Sequence, residues 1–181
     1  HDLRNDFNAF VTFLQKCVTE KEWHISYNGL AFDAQITHYV LDNYTKWSGL
    51  SGCEVANLIY GCAQRTIEKS NKNEFSDYPQ WKMKIGQIDL FKMHHWDNVA
   101  KRSSLKWIQY SMDWQNILEM PIHHTAAIKT LEEIETILEY CINDVRSTKE
   151  IYNRSKSQVA LRKELTNTYG IDMFSASEPR T

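Results

Sequence analysis

The spacing of apolar residues changes period several times along this chain. Over residues 2–18, Phe7, Phe10, Val11, Leu14, Cys17 and Val18 recur at helical spacing, and Asn5 or Asp6 stands where a cap is needed. Trp23, Ile25 and Tyr27 then alternate with His24 and Ser26, the two-residue period of a strand. Asn28-Gly29 breaks that strand. A second helical pattern follows from Leu30 through Phe32, Ile36, Tyr39 and Val40, so residues 28–33 lie where a strand ends and a helix begins.

Further on, Ser51-Gly-Cys-Glu54 has the form of a capping box that opens a helix to about Ser70. The polar stretch from Ser70 to Tyr78, closed by Pro79, reads as a loop. Met83, Ile85, Ile88 and Leu90 predict a second strand, with Gly86 a candidate bulge. Ser103 or Ser104 can cap a short helix through Tyr110. Thr130-Leu-Glu-Glu133 opens the longest helix, with Leu131, Ile134, Leu138, Cys141 and Val145 forming a continuous stripe expected to face the core. Glu132, Glu133 and Glu135 crowd its start and basic residues gather later, which suits the helix dipole; Gly170 is a helix terminator.

The length of 181 residues fits one domain with at most an appendage. Hydrophobic residues at 42% and charged residues at 24% exclude a wholly disordered chain. A net charge of −2 excludes a non-specific nucleic-acid coat, so any such contact must be local. No apolar run reaches the roughly 18–20 residues of a membrane span. Cys17, Cys53, Cys62 and Cys141 form no C-x-x-C pair and lie in apolar helical stripes, which predicts free thiols in a reducing, intracellular compartment.

Two groups of residues carry candidate chemistry. Tyr140 and Asp144 are four apart and share a polar helix face, away from the apolar stripe. Asn28, Phe32 and Asp33 flank the strand-to-helix junction, where open α/β sheets build their sites. Each group alone reads as ordinary: a surface Tyr beside a solvated Asp, and an Asn-Gly turn with an acid in a first helical turn.

Together and in this order they resemble a known family. Tyr27-Asn-Gly-Leu-Ala-Phe-Asp-Ala-Gln35 and Glu139-Tyr-Cys-Ile-Asn-Asp-Val145 resemble the second and third motifs of the DEDD 3′–5′ exonucleases, in particular the proofreading domain of phage-type, family-B-like DNA polymerases. Ile88-Asp-Leu90, Ser104-Leu-Lys106, Glu119-Met-Pro-Ile122 and Arg162–Tyr169 are similar to the same family. Tyr140, four residues before Asp144, implies the tyrosine subclass. The resemblance implies an α/β, helix-rich, ribonuclease H-like fold acting on a single-stranded DNA 3′ end, inside a host cell if viral. It further implies two Mg²⁺ or Mn²⁺ ions. Asp144 would hold the ion that activates water, Tyr140 would orient that water, and Asp33 would hold the second ion. Asn28 would lie beside the bound strand, and Phe32 fits either that role or plain packing. The carboxylates of Asp33 and Asp144 would then lie within roughly 5–8 Å of one another.

One family feature is missing: no Asp-x-Glu precedes Asn28, and Glu20-Lys-Glu22 is the nearest approach. The expectation is therefore a partial exonuclease domain over residues 1–155, lacking its first strands, and a helical lead-out over 156–181 toward an absent polymerase domain. The missing N-terminal segment would complete the metal site. Two other readings remain open: a non-catalytic module of the same fold that binds single-stranded DNA, and an unrelated helical interaction protein.

Other features carry less. His94-His95 and His123-His124 lack a third ligand at diagnostic spacing. Residues 146–163 hold six basic side chains and one acid, which suit either DNA phosphates or a solvated helix end. Trp96, Trp107 and Trp114 are candidates to stack on unpaired bases, though the aromatics as a class read as core.

Overall fold

The computed structural model describes residues 6–94, 103–123 and 126–176. The chain divides into two compact units, His1–Asp89 and Leu90–Thr181.

The first unit opens with α1 (Phe7–Thr19), which turns Val11, Leu14 and Cys17 inward. Asp6 takes the N-cap position without a side-chain cap bond; Asn5, the other candidate cap, lies outside the described residues. Strand β1 (Trp23–Ser26) is followed by a turn at Asn28, whose φ of 64° puts it in the left-handed region. Asn tolerates that conformation better than most residues, which is why the strand can turn sharply here. A 3₁₀ turn over Gly29–Ala31 intervenes, so α2 (Asp33–Asn43) begins three residues later than the apolar pattern from Leu30 suggests.

α3 (Gly52–Asn71) starts at the expected capping box, with both reciprocal bonds between Ser51 and Glu54 present. Strand β2 (Gly86–Asp89) then pairs in parallel with β1, Trp23 opposite Gly86 and Ser26 opposite Asp89. Parallel neighbours need a crossover, and α2 and α3 supply it. Gly86 keeps the register and forms no bulge. Its role is steric, since a β-carbon there would come within 2.5–2.7 Å of the Trp23 indole. The core gathers Val11, Leu14, Cys17, Val40, Leu41, Trp47, Val55 and Ile85, with Phe7, Tyr39 and Ile59 packed against it.

Gln35 and His38 are also buried here, and both are satisfied. Gln35 donates to Leu30 O at 2.9 Å and Tyr78 O at 2.8 Å, and accepts from Tyr78 N at 2.9 Å. His38 lies with Nδ1 2.7 Å from Ala34 O, while its Nε2 accepts from Lys84 N at 2.9 Å and Ile85 N at 3.3 Å. These bonds tie the loop before β2 onto α2.

The second unit holds α4 (Leu90–His94), α5 (Leu105–Ser111), α6 (Leu131–Arg154) and α7 (Lys156–Tyr169). Ser104 caps α5 by accepting from Trp107 N, and Thr130 and Glu133 form the capping box of α6. Helices α6 and α7 are separated by Ser155, and α7 ends at Gly170, in the left-handed region with φ 67°. Arg162 of α7 is 2% exposed. It donates to the carbonyls of Gln158, Ala176 and Met93.

The orientation of α6 reverses the sequence expectation. Its buried residues are Asn143, Ser147 and Ile151. Leu131, Leu138, Ile142 and Val145 are exposed instead, by 55%, 40%, 47% and 63%. The polar face packs and the apolar face looks outward. Cys141 and Cys53 are likewise exposed, whereas Cys17 and Cys62 are buried; all four thiols are free. No helix among the described residues is long and apolar enough to cross a membrane.

Candidate functional site

In the first unit, Asp89 closes β2 and is fully buried. Its carboxylate accepts from Asn28 N at 2.8 Å and Leu30 N at 3.0 Å. The turn after β1 is thus pinned to the end of β2 by two charge-assisted bonds. Gly29 completes the turn, because a β-carbon there would collide with Ser26 Oγ. The Asn28 residue is exposed and Phe32 half-buried, with Phe32 at the N-cap position of α2.

Asp33 begins α2. The residue has open surface, yet its carboxyl group is crowded by surrounding protein. Burial pushes its pKa up; a backbone hydrogen bond opposes the shift, and the nearby Asp89 carboxylate adds to it. Asp33 therefore resists ionisation and would gain from a cation.

In the second unit, Tyr140 and Asp144 meet on α6. Their polar face packs on α5, where Gln109 is fully buried. Gln109 Nε2 donates to Asp144 Oδ1 at 3.0 Å and to Ser147 Oγ at 2.7 Å. Trp114 Nε1 donates to Asn143 Oδ1 at 3.1 Å. The Tyr140 hydroxyl hydrogen-bonds Asp144, and Lys106 Nζ sits 5.3 Å from its ring centroid. Desolvation first, and then the Asp144 carboxylate, push the Tyr140 phenol up to about 12, so it stays protonated and can donate. Lys106 also donates to Leu118 O and lies 3.3 Å from Glu119.

The structure thus gathers Asn28, Phe32 and Asp33 in one unit, and Tyr140 and Asp144 in the other. Gln109 and Ser147 frame the second group and carried no signal in the sequence as site residues, while Lys106, beside Tyr140, stood there only within the Ser104-Leu-Lys106 resemblance. Asp89 had one: an acid ending an apolar strand must either find partners or stay at the surface.

Among the described residues, no three His, Cys, Asp or Glu side chains gather as a metal-holding group. Their donor chemistry nevertheless suits a hard divalent cation: carboxylate oxygens at Asp33 and Asp144, and at Asp33 a second negative group that a cation would offset. His94 Nε2 lies 2.7 Å from Ser155 Oγ; His95 and His124 fall outside the described residues. Of the six basic residues over 146–163, Arg162 is buried and Arg154 pairs with Glu150, which removes both from the set open to phosphates. Trp107 is 60% exposed. Trp114 is held by Asn143, and Trp96 lies outside the described residues. No family model, curated protein or solved structure matches this chain.

Proposed function

We propose that this chain is the 3′–5′ exonuclease part of a viral replicative DNA polymerase, of ribonuclease H-like fold, which acts inside the host cell. It would remove 3′-terminal nucleotides from single-stranded DNA by hydrolysis. The observation that carries the reading is the Tyr140–Asp144 pair: a protonated phenol beside a carboxylate whose direction is fixed by Gln109.

Such a pair suits phosphodiester hydrolysis. A carboxylate with a fixed orientation presents an oxygen to a cation, and a phenol in its neutral form donates a hydrogen bond that holds a water in line. Asp144 and Asp33 would each hold a Mg²⁺ or Mn²⁺ ion, and Asn28 and Phe32 would flank the DNA strand. When bound, the two ions supply a nucleophilic water and stabilise the leaving oxygen. In this reading the bridging acids of the missing Asp-x-Glu come from a segment outside this chain, and a polymerase domain is the second partner.

The exposed Trp107 ring, open to stacking on an unpaired base, favours a second reading, a module of the same fold that binds single-stranded DNA without cutting it. A 5′-labelled oligonucleotide with Mg²⁺ or Mn²⁺ separates the two. Joined to an Asp-x-Glu-bearing segment, the parent should shorten the strand from its 3′ end. Asp144→Ala should abolish the activity, and Tyr140→Phe should lower it by roughly 10²–10⁴-fold. Strand binding by anisotropy, with no digestion in any combination, selects the binding module. Digestion by Asp144→Ala at the parent rate overturns the mechanism.

A further inference from the structure

We propose that the cavity between α2, α3 and the loop after α3 binds a small, singly charged aromatic carboxylate, with Arg65 as the group that recognises the anion. This inference is independent of the nuclease reading, and every residue it uses belongs to the first unit. The cavity measures about 230 Å³ and is walled by Tyr39 of α2, by Cys62, Arg65 and Thr66 of α3, and by Asp77 and Tyr78 of the loop.

The acids nearest Arg65 in the wall and along α3 are already countered. Asp77 pairs with Lys69, and Glu68, one turn after Arg65, pairs with Lys72 at 2.6 Å. The Arg65 guanidinium lies 5.7 Å from the centroid of the Tyr39 ring. Among the described residues it has neither a carboxylate partner nor a hydrogen-bond acceptor. The amides that share the wall are in use: Gln35 in its bonds to Leu30 and Tyr78, and Asn43 in donating to Tyr39 O at 2.8 Å and accepting from Lys46 Nζ at 2.9 Å. Thr66 donates to Cys62 O at 2.9 Å, and the Tyr78 hydroxyl bonds Asp42. Burial raises the pKa of the Cys62 thiol and keeps it neutral.

A guanidinium held on an aromatic face, with its N–H fork unused, is prepared for a bidentate oxyanion. Its single charge matches one carboxylate. Asp77 in the same wall repels a second negative charge, which disfavours a phosphate dianion. The rest of the wall offers two tyrosine rings and a neutral thiol, surfaces that suit a flat apolar body. A cavity of about 150 Å³ holds benzene, so the space beside Arg65 takes a ring together with its carboxylate.

Benzoate is the probe, with benzamide as its neutral counterpart and inorganic phosphate as the rival anion. In an NMR titration of the whole chain, benzoate should shift amides at residues 35–43, 62–66 and 77–78, and saturate by about 20 mM. Benzamide and phosphate should each bind about tenfold more weakly or worse. Arg65→Gln should lower benzoate affinity about tenfold or more, and Arg65→Lys, which keeps the charge and loses the fork, about threefold or more. Arg65 is exposed, so both variants should melt with the parent. If Arg65→Gln melts earlier, Arg65→Lys carries the comparison. No saturation over that range, shifts centred outside the cavity, or benzoate affinity unchanged in the variants overturns the proposal. Benzamide binding as tightly as benzoate, or phosphate binding more tightly, overturns it too, because the recognised group is then not a carboxylate.

Discussion

Asp89 ties a charge to a turn. Its carboxylate accepts two backbone N–H groups, from Asn28 and Leu30, in a place without water contact. Asparagine keeps the shape but offers one acceptor oxygen, and its amide would point a donor at a donor. Asp89→Asn should cost about 2–4 kcal/mol of unfolding free energy in urea, since bonds to charged groups are worth about 1.5–3 kcal/mol each. A melt equal to the parent's would show that the turn is held by something else. His38 gives a pH effect of defined sign. Its Nε2 accepts from two backbone donors, and burial lowers its pKa below the ordinary histidine value of 6.5. The unfolded chain therefore takes up the proton first as pH falls. The stability this group contributes is full above about pH 6.5 and is lost below it, by up to about 1.4 kcal/mol per pH unit until the folded pKa is reached. Urea midpoints measured from pH 7.5 to 5.0 should fall for the parent and fall less for His38→Gln. Parallel slopes would remove His38 as the cause.

At the scale of elements, the signals that survive translation into structure are the local ones. The Ser51–Glu54 and Thr130–Glu133 boxes, the Ser104 cap, the Asn28 turn and Gly170 each lie within a few residues of the backbone groups they satisfy, so sequence alone locates them. Thr130→Ala removes the hydroxyl that accepts from Glu133 N and should cost about 1 kcal/mol. Hydrogen exchange should report it as faster amides over residues 132–135, with α3 unchanged. The orientation of α6 was not legible in the same way. Periodicity identifies an apolar face but not what covers it, and the buried side of α6 is chosen by Gln109, a residue 34 positions before Asn143 with no local signature. Gln109→Leu keeps the volume and strips Asp144 and Ser147 of their donor. It should destabilise the chain by about 1–3 kcal/mol. Gly86 illustrates the same limit: a glycine in a strand signals either a bulge or a close approach, and the Trp23 ring that decides between them is 63 residues away.

The two units hold themselves together by different means, which sets where the molecule should open first. The first unit buries a contiguous apolar cluster from α1, α2, α3 and Ile85. The interior of the second is rich in polar groups: Gln109, Asn143, Ser147, Ser155 and Arg162 are buried beside Leu90, Met93, Met112 and Ile151. Area removed from water stabilises without regard to direction, whereas a polar network holds only while its geometry does. The slowest-exchanging amides should therefore lie in the first unit, at Leu14, Val40 and Ile85, with α5–α7 exchanging sooner. Arg162 is the sharpest test of the second unit. One guanidinium satisfies carbonyls at Met93, Gln158 and Ala176, so it fastens α4 and the segment after α7 to a single helix. Arg162→Met preserves much of the volume and leaves three carbonyl oxygens without this donor. The change should cost about 2–4 kcal/mol, and residues 171–176 should be the first to become accessible to protease. The first unit, with its apolar core intact, should keep its slow amides. If the 171–176 segment stays as resistant as in the parent while the first unit loosens, the division of labour between an apolar unit and a polar one is wrong.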